Sequence, residues 1–276
     1  MKPSLIYYVS MEDPASMNMG RWLMELGDYR EKFSRNALHI YTADDDLLVF
    51  GERLHIHAEH VDKLIENETG RNFDGIIFLS THRSASGTRA LTFHPVGNFA
   101  EAQLGGEARR LSPSFPSFMT GCLLRALDLN IDGYDITFEA THHGPLVDIP
   151  AMFAEMGSDQ EAWEDRSVGR MMAEILIEKP LAAGTVAAGI GGGHYCPRFR
   201  DIALKRKVIF GHMVSSHNLM HLDDGMCVEL MKANHGSVFF IMHRDARNGE
   251  GLERIQSALV SSGMREMDIE SAPLRK

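Results

Sequence analysis

The sequence predicts an α/β fold with a single open mixed sheet flanked by helices. Apolar runs of strand length alternate with amphipathic helical patterns along most of the chain, as in α/β proteins. Several of these runs are apolar throughout, which is typical of strands covered on both faces in a largely parallel sheet. The 276 residues show no linker and no repeat. We therefore expect one domain spanning 1–276, with a functional loop region around 82–112.

The amino-terminal half is predicted to start with a strand and a helix. An apolar run at 5–9 precedes Pro14, which suits the first turn of a helix, and Gly27 ends the helical pattern. Further strands are predicted at 37–42, 47–50 and 75–79, and further helices at 60–68 and 118–129. The segment 84–110 is rich in Ser, Gly and Arg, which predicts a long loop of the kind that forms lids or binding segments.

The carboxy-terminal half continues the alternation of strands and helices. Strands are predicted at 134–139, 184–188, 208–210, 237–242 and 264–269. Helices are predicted at 160–178, 224–233 and 250–262. The alternation supports the α/β class across the whole length of the chain.

Composition argues against several classes of protein. Lys and Arg number 28 and Asp and Glu number 38, a formal net charge of −10, which argues against binding nucleic acid through the whole surface. The three cysteines are widely spaced and form no CxxC pair, so we expect neither a disulfide framework nor a zinc ribbon, and a reducing cytoplasm is the expected location. We also expect no membrane anchor, because no apolar run approaches the roughly 18 residues that span a bilayer.

Histidines follow several of the predicted strands directly. The pair His142 and His143 comes after the strand at 134–139 and before a Gly-Pro dipeptide, which cannot continue a strand. Three other strands also end near a histidine: His82, His194 and His212. Open α/β sheets bind ligands at the carboxyl ends of their strands, so we expect these imidazoles to line one cleft, together with His94 of the loop region.

The expected cleft also contains groups that accept protons or bind ions. Glu139 adds a carboxylate that can orient an imidazole, ligate a metal or act as a base. Zinc prefers imidazole and carboxylate ligands, so a zinc site is one interpretation and a polar network without metal is the other. The glycines at 191–193 leave their main-chain N–H groups accessible to a phosphate. The pattern is neither GxGxxG nor a Walker loop, so a tight turn is the favoured interpretation. Cys196 is interpreted as a structural thiol, because no base can be assigned to it.

Five blocks of sequence carry a family resemblance. They are Pro14-Ala15-Ser16-Met17-Asn18, Phe93-His94-Pro95-Val96-Gly97-Asn98, Glu139-Ala140-Thr141-His142-His143-Gly144-Pro145, Gly189-Ile190-Gly191-Gly192-Gly193-His194-Tyr195 and Phe210-Gly211-His212. Together they resemble the archaeal and plant type of D-aminoacyl-tRNA deacylase. The resemblance implies a cytoplasmic, zinc-dependent enzyme with a phosphorylase/hydrolase-like fold. It also implies hydrolysis of the ester between a D-amino acid and tRNA, which is chirality proofreading. The segment 84–89 matches this family less well.

The strand-end pattern and the resemblance together give three groups of expected site residues. The expected catalytic residues are Glu139, His142, His143 and His194. The expected zinc ligands are His82, His142, His194 and His212. The residues expected to contact the substrate are His94, Asn98, Gly191, Gly192, Gly193, Arg198, Arg200 and Lys205, the last three as part of a basic rim for tRNA.

D-aminoacyl-tRNA is the expected partner, and we expect the protein to act as a monomer. Two other functions remain open from the residues alone. One is a phosphorolytic nucleosidase that uses the glycine turn for phosphate, and the other is a non-catalytic protein that binds the acceptor end of tRNA. Metal analysis, combined with hydrolysis assays on D- and L-tyrosyl-tRNA, separates the three.

Overall fold

Two sheets, a larger mixed one and a smaller parallel one, form the framework of the protein. The computed structural model describes residues 2–243 and 251–275. The larger sheet contains β1 (Leu5–Ser10), β2 (Arg30–Arg35), β3 (Leu38–Ala43), β4 (Asp46–Gly51), β5 (Gly75–Arg83), β6 (Ala90–Pro95), β7 (Asp135–Phe138) and β8 (Ala151–Ser158). Its strand order is β2-β3-β4-β1-β5-β8-β6-β7. The smaller sheet contains β9 (Thr185–Ile190), β10 (Val208–Val214), β11 (Phe239–Met242) and β12 (Arg265–Glu266), in the order β10-β9-β11-β12.

Helices connect the strands of both sheets. They are α1 (Pro14–Leu26), α2 (Val61–Thr69), α3 (Pro116–Leu129), α4 (Gln160–Glu164), α5 (Arg166–Glu178), α6 (Pro197–Lys205), α7 (Asp224–Ala233) and α8 (Leu252–Ser261). The Asp13 side chain accepts a hydrogen bond from the Ser16 amide at 2.9 Å and so caps α1. Asp165 caps α5 in the same way, which divides the predicted helix at 160–178 into α4 and α5. In the described part of the chain, no helix has the length and apolar character needed to cross a membrane.

Strand pairing in the larger sheet brings polar residues of three strands together. β5 runs parallel to β1 and β8, whereas β6 runs antiparallel to β8 and parallel to β7. In this register Glu155 of β8 lies between Ser80 of β5 and Thr92 of β6. Glu139 directly follows β7. The sheet therefore carries one carboxylate within β8 and a second at the end of its edge strand.

One hydrophobic cluster extends across both sheets. Phe138 of β7 packs edge-on against Phe210 of β10, with 6.2 Å between ring centroids, and Phe199 of α6 packs on Phe210 at 5.0 Å. All three rings are buried, and each contributes about 1.5–3 kcal/mol through removal of apolar surface from water. This packing holds the end of β7, and with it Glu139, against the smaller sheet.

The predicted α/β class with an open mixed sheet is confirmed, and a second sheet accompanies it. Sequence patterns miss β2, β6 and β8. β2 is an edge strand of mostly exposed, largely charged residues, which lacks the alternation of a half-buried strand. β6 lies inside the predicted loop at 84–110. The predicted strand at 264–269 is shorter in the structure, and the predicted helix at 250–262 begins at Glu250, outside the described residues.

Candidate active site

Five imidazoles and two carboxylates meet where the larger sheet adjoins the smaller one. This histidine–glutamate cluster consists of His82, His94, Glu139, His142, His143, Glu155 and His194. β5, β6 and β8 supply three of these residues, the segment after β7 supplies three, and the turn after β9 supplies the last. The predicted convergence of strand-end histidines is therefore observed for His82, His142, His143 and His194, and for His94.

Glu139 contacts three imidazoles. Its Oε1 lies 3.1 Å from His82 Nδ1, and its Oε2 lies 3.5 Å from His194 Nε2 and 3.9 Å from His142 Nε2. The carboxylate itself is only 1% exposed. A buried carboxylate is costly unless positive charge or hydrogen bonds compensate it, so Glu139 fixes the imidazoles around itself.

Glu155 forms the second centre of the cluster. Its Oε1 lies 3.4 Å from His94 Nε2, and its Oε2 lies 3.7 Å from His82 Nδ1 and accepts a hydrogen bond of 3.3 Å from Thr92. His82 thus touches both carboxylates, and its Nε2 is also 2.8 Å from the Tyr195 hydroxyl. The two carboxylates share one imidazole between them.

The carboxylates hold positive charge on two of the imidazoles. Burial alone lowers the pKa of His82, but its contacts with Glu139 and Glu155 outweigh burial and raise that pKa to about 10. Burial likewise opposes the charged form of His94, and Glu155 outweighs it and raises the pKa of His94. Burial raises the pKa of Glu139, yet contacts with His194 and His82 hold that pKa at about 2. Both carboxylates are ionised at neutral pH, because the pKa of Glu155 is lowered too.

His142 and His143 have the opposite shift. Burial, followed by the charge on His94, lowers the pKa of His142 to about 4. Burial, followed by the nearby imidazoles of His142 and His94, lowers the pKa of His143 well below its ordinary value. Both imidazoles are therefore neutral at pH 7 and available as lone-pair donors.

Main-chain carbonyls fix the orientation of three rings in the cluster. The Nδ1 atoms of His94, His142 and His143 donate to the carbonyls of Pro95, Ala140 and Gly144 at 3.0, 2.7 and 3.0 Å. A carbonyl only accepts, so each Nδ1 carries the hydrogen and each Nε2 points away from the main chain. One ligand atom from each of these three imidazoles lies within 4.8 Å of the other two. Such spacing and orientation are typical of a metal-binding set of histidines.

Two further groups of possible ligands overlap with the first. One is Glu139, His142 and His194, and the other is His82, Glu139 and Glu155. His94 Nε2 and Glu139 Oε1 are buried and make no hydrogen bond, although each lies near an oppositely charged atom. Each atom therefore has a charged neighbour but no well-aligned hydrogen bond, which is uncommon for a buried polar atom and leaves bonding capacity for a ligand at the centre of the cluster.

A groove of about 740 Å³ opens above the cluster. Its floor contains His142, Gly192, Gly193 and His194, one wall comes from residues 100–104, and the other wall comes from residues 215–221. The side chains of His142 and His194 are 25% and 50% exposed, whereas the other members of the cluster are buried. The cluster is therefore accessible from the His142 and His194 side.

The glycine turn shapes the floor of this groove. Gly191 and Gly192 have φ values of 88° and 94°, which L-residues with side chains rarely adopt. The Gly191 amide donates to Val214 O at 2.7 Å, and the Gly192 amide donates to Ser216 Oγ at 3.0 Å. These N–H groups are used within the chain, so the structure favours the tight turn over a phosphate cradle. Gly192 and Gly193 line the groove as predicted for substrate contact, and Gly191 does not.

His212, predicted from the sequence as a zinc ligand, lies apart from the histidine–glutamate cluster. The ring is fully buried, its Nε2 donates to Ser112 O at 2.9 Å, and its Nδ1 accepts from the Thr141 hydroxyl at 3.0 Å. Burial lowers the pKa of His212 to about 4, so the ring is neutral. Both ring nitrogens are used, and His212 belongs to none of the three ligand groups.

Asn98 and the three basic residues are also placed away from the substrate groove. The Asn98 amide donates to Gly105 O at 2.9 Å and to Glu107 O at 3.3 Å, so it stabilises the loop that forms one groove wall. Arg200 pairs with its neighbour Asp201 at 2.8 Å. Arg198 and Lys205 line a separate cavity of about 590 Å³ that shares no residue with the groove.

Two residues of the site are missed by sequence reasoning. Glu155 lies in β8, a strand that is not predicted, and its signal is a single carboxylate inside the otherwise uncharged run 151–158. Tyr195 follows His194 in a block already singled out, and the fold turns its hydroxyl onto His82. Cys196 is buried and burial raises the pKa of its thiol, which fits its interpretation as structural.

The matching family model and the curated relatives named below carry the same description. A family model described as D-aminoacyl-tRNA deacylase matches residues 69–267. A D-aminoacyl-tRNA deacylase of Picrophilus torridus is 34% identical over 84% of this chain and 87% of its own length. One of Methanococcoides burtonii is 32% identical over 96% of this chain, which spans only 57% of that longer relative. The crystal structure of a conserved protein of unknown function superposes with a TM-score of 0.89 at 26% identity, covering 99% of this chain and 98% of that one.

Proposed function

Because this chain belongs to the D-aminoacyl-tRNA deacylase family, we propose that it hydrolyses the ester of D-aminoacyl-tRNA at the histidine–glutamate cluster, with zinc as cofactor. The products are the free D-amino acid and tRNA. One observation carries the assignment of the site. Two buried, ionised carboxylates surround imidazoles of fixed orientation directly beneath an open groove.

The residues present fit a zinc ion. The charges of Glu139 and Glu155 require compensating positive charge, which a divalent cation supplies as well as protons on imidazoles do. His94, His142 and His143 would hold the ion through their Nε2 atoms, because their Nδ1–H groups are fixed on carbonyls. His94 would first release the proton that Glu155 holds on it. Three protein ligands with an open fourth position are the usual catalytic zinc set. When bound, zinc in this position lowers the pKa of a bound water and polarises the ester carbonyl.

The surrounding residues carry out the proton transfers. Glu139 lies beside the exposed rings of His142 and His194, so it is placed to accept the proton of the attacking water, whose oxygen forms the new bond to the ester carbon. His194 lies 3.5 Å from Glu139 Oε2 and is half exposed, so it delivers the proton to the departing ribose oxygen as the ester bond breaks. His82, charged and in contact with the Tyr195 hydroxyl, orients Glu139.

The two alternative functions receive less support. A phosphorolytic nucleosidase needs an anion site, and the amides of Gly191 and Gly192 are already hydrogen-bonded within the chain. A non-catalytic binding protein does not need two ionised carboxylates buried beside neutral imidazoles, an arrangement that is costly to maintain.

The test combines metal analysis with hydrolysis of D- and L-tyrosyl-tRNA. We expect the purified protein to contain zinc and to release D-tyrosine much faster than L-tyrosine. His142→Ala should lose zinc and lower kcat by at least about 100-fold, since general acid–base and metal catalysis each contribute at least that much. His39→Ala, a surface histidine of β3, is the matched control. Full activity in His142→Ala would refute the assignment of the cluster, and phosphate-dependent cleavage of nucleosides would instead support the nucleosidase.

A further inference from the structure

The groove above the cluster restricts where the nucleoside part of the substrate lies. Of the cluster, only His142 and His194 are substantially exposed, so the scissile ester sits against these two rings on the groove floor. The ester joins the aminoacyl group to a ribose oxygen of the terminal adenosine. That adenosine is therefore one bond away from the reacting carbon and must occupy the groove or its rim.

The groove walls offer hydrogen-bonding groups that the protein does not use itself. Gln103 lies on one wall, and His217 and Asn218 lie on the other. Within residues 2–243 and 251–275, none of these three side chains makes a hydrogen bond, an ion pair or a ring contact. By contrast, the nearby Ser216 hydroxyl is used to accept the Gly192 amide. The unused groups face the volume that the substrate enters.

The charge of the lining favours a neutral ligand over a phosphate. No Lys or Arg is present among the described residues that line the groove, and Glu101 is its one acidic wall residue. A phosphodiester would gain no counter-charge there, whereas a purine base needs only donors, acceptors and an aromatic surface. Carboxamides pair with the adenine edge through complementary donors and acceptors, and histidine rings stack on bases.

We propose that this groove is the subsite for the terminal adenosine of tRNA, where Asn218 and Gln103 contact the adenine edge and His217 packs on the base. The inference rests on the proposed function, because it takes the ester to react on the groove floor. The aminoacyl side chain differs from one tRNA to another, but the terminal adenosine is the same on every tRNA. The amide groups of Gln103 and Asn218 therefore suit recognition of the invariant nucleoside better than recognition of the variable aminoacyl side chain.

Minimal esters test this subsite through a selectivity ratio. The probes are D-tyrosyl-adenosine, D-tyrosyl-inosine, which replaces the adenine amine by a carbonyl, and D-tyrosine ethyl ester. We expect Asn218→Ala and Gln103→Ala each to lower the ratio of kcat/KM for D-tyrosyl-adenosine over the ethyl ester about tenfold, through KM, and to reduce discrimination against inosine. Asn67→Ala, an exposed asparagine of α2 outside the groove, should keep the wild-type ratio.

A second measurement does not depend on catalysis. Uncharged tRNA ending in adenosine should bind more tightly than the same tRNA ending in inosine, and Asn218→Ala should abolish that difference. If all three esters slow in equal proportion in the variants, the groove binds the aminoacyl group instead and the proposal is overturned. Unchanged ratios and unchanged binding overturn it as well. If the wild-type protein hydrolyses none of the esters and does not hydrolyse D-tyrosyl-tRNA either, the proposed function fails, and the binding comparison still decides the subsite.

Discussion

Two sets of histidines, His212 alone and those of the histidine–glutamate cluster, differ in how their ring nitrogens are used. His212 has both nitrogens paired, one with Ser112 O and the other with the Thr141 hydroxyl. In the histidine–glutamate cluster, by contrast, His94 and His142 each have one nitrogen on a main-chain carbonyl and the other near a carboxylate. An apolar run precedes His212 too, but β10 continues past it to Val214, so such a run does not by itself place a histidine in the cluster.

The neighbours of each set explain the difference. Around His212 the polar groups are neutral: Asn234 Oδ1 accepts both the His212 amide and the Ser114 hydroxyl. These hydrogen bonds stabilise the junction of the two sheets, because the buried polar groups there would otherwise lose their hydrogen bonds to water without replacement. The cluster contains two ionised carboxylates, which attract protons or cations to the remaining nitrogens. Buried carboxylates beside unpaired nitrogens therefore separate the reactive set from the structural one.

Removing the charge of Glu139 should have the largest effect. Glu139→Gln keeps the size of the side chain and eliminates the base, so kcat for D-tyrosyl-tRNA should fall by about 10²–10⁴. Rapid-quench assays of D-tyrosine release measure the loss, and circular dichroism checks the fold. A variant that is folded and retains more than a tenth of wild-type kcat would exclude Glu139 as the base.

Glu155 should matter less, because it acts through His82 and His94. Glu155→Gln should weaken zinc retention or activity by about 10–100-fold, the usual effect of a group that orients metal ligands. Zinc content after graded dialysis against a chelator measures this, with Glu161→Gln on α4 as a surface control. If zinc is retained as in the wild-type protein while kcat collapses, Glu155 has a direct role in proton transfer.

His212→Gln should affect stability and not zinc content. The folded pKa of His212 is about 4, below the unfolded value of about 6.5, so its neutral form stabilises the fold above pH 6.5. That contribution is lost as the pH falls from 6.5 towards 4, by up to roughly 3 kcal/mol. Urea unfolding at pH 7 and pH 4.5 should show a smaller pH-dependent loss in the variant than in the wild-type protein.

The other histidines are the same in both proteins, so the difference in pH-dependent stability between variant and wild type reports the contribution of His212. The zinc content of His212→Gln is the decisive second readout. Loss of zinc in this variant, with the fold intact, would restore His212 to the ligand set and remove the contrast between the two sets of histidines.

Much of the site could be predicted from the sequence, for a physical reason. A histidine after an apolar run stands at a strand end, and parallel strands bring such ends together, as His82, His142 and His194 show. His212 also follows an apolar run, yet β10 continues to Val214 and the ring turns into the core. Its partners Ser112 and Thr141 are distant in sequence, and only the fold supplies them. Sequence patterns carry no information on which nitrogen is paired.

The fold, like the site, could be predicted in part from the sequence. Strands with continuous apolar runs, such as β1 and β5, appear where they are predicted. β8 is missed because Glu155 interrupts its apolar run, and Glu155 is the carboxylate that β8 contributes to the histidine–glutamate cluster. The division of the strands between two sheets depends on long-range pairing, which local patterns do not encode.

Substitution of the basic residues near α6 should have the smallest effect. It tests whether the outer surface, as distinct from the groove, contributes to tRNA binding. Arg200 of the predicted rim is already in an ion pair with Asp201 at 2.8 Å. Other arginines are paired too, such as Arg89 with Glu161 at 2.8 Å and Arg109 with Asp223 at 2.7 Å. The rim therefore presents less free positive charge than its residue count suggests, and each of these arginines must leave an acidic partner to bind a phosphate.

Charge reversal at Arg198, Arg200 and Lys205 should accordingly weaken tRNA binding only severalfold. The slope of log affinity against log salt should become shallower by about 0.7–0.9 for each phosphate that the variant no longer neutralises, since fewer counterions are released on binding. Cleavage of D-tyrosyl-adenosine, which carries no phosphate, reports on the cluster alone. The matched control reverses the charges of Arg30, Lys32 and Arg35 on β2, the opposite edge strand of the larger sheet, and changes net charge equally. Equally weakened binding in both triple variants would mean that tRNA senses only the overall charge of the protein, and that the surface near α6 has no particular role in holding it.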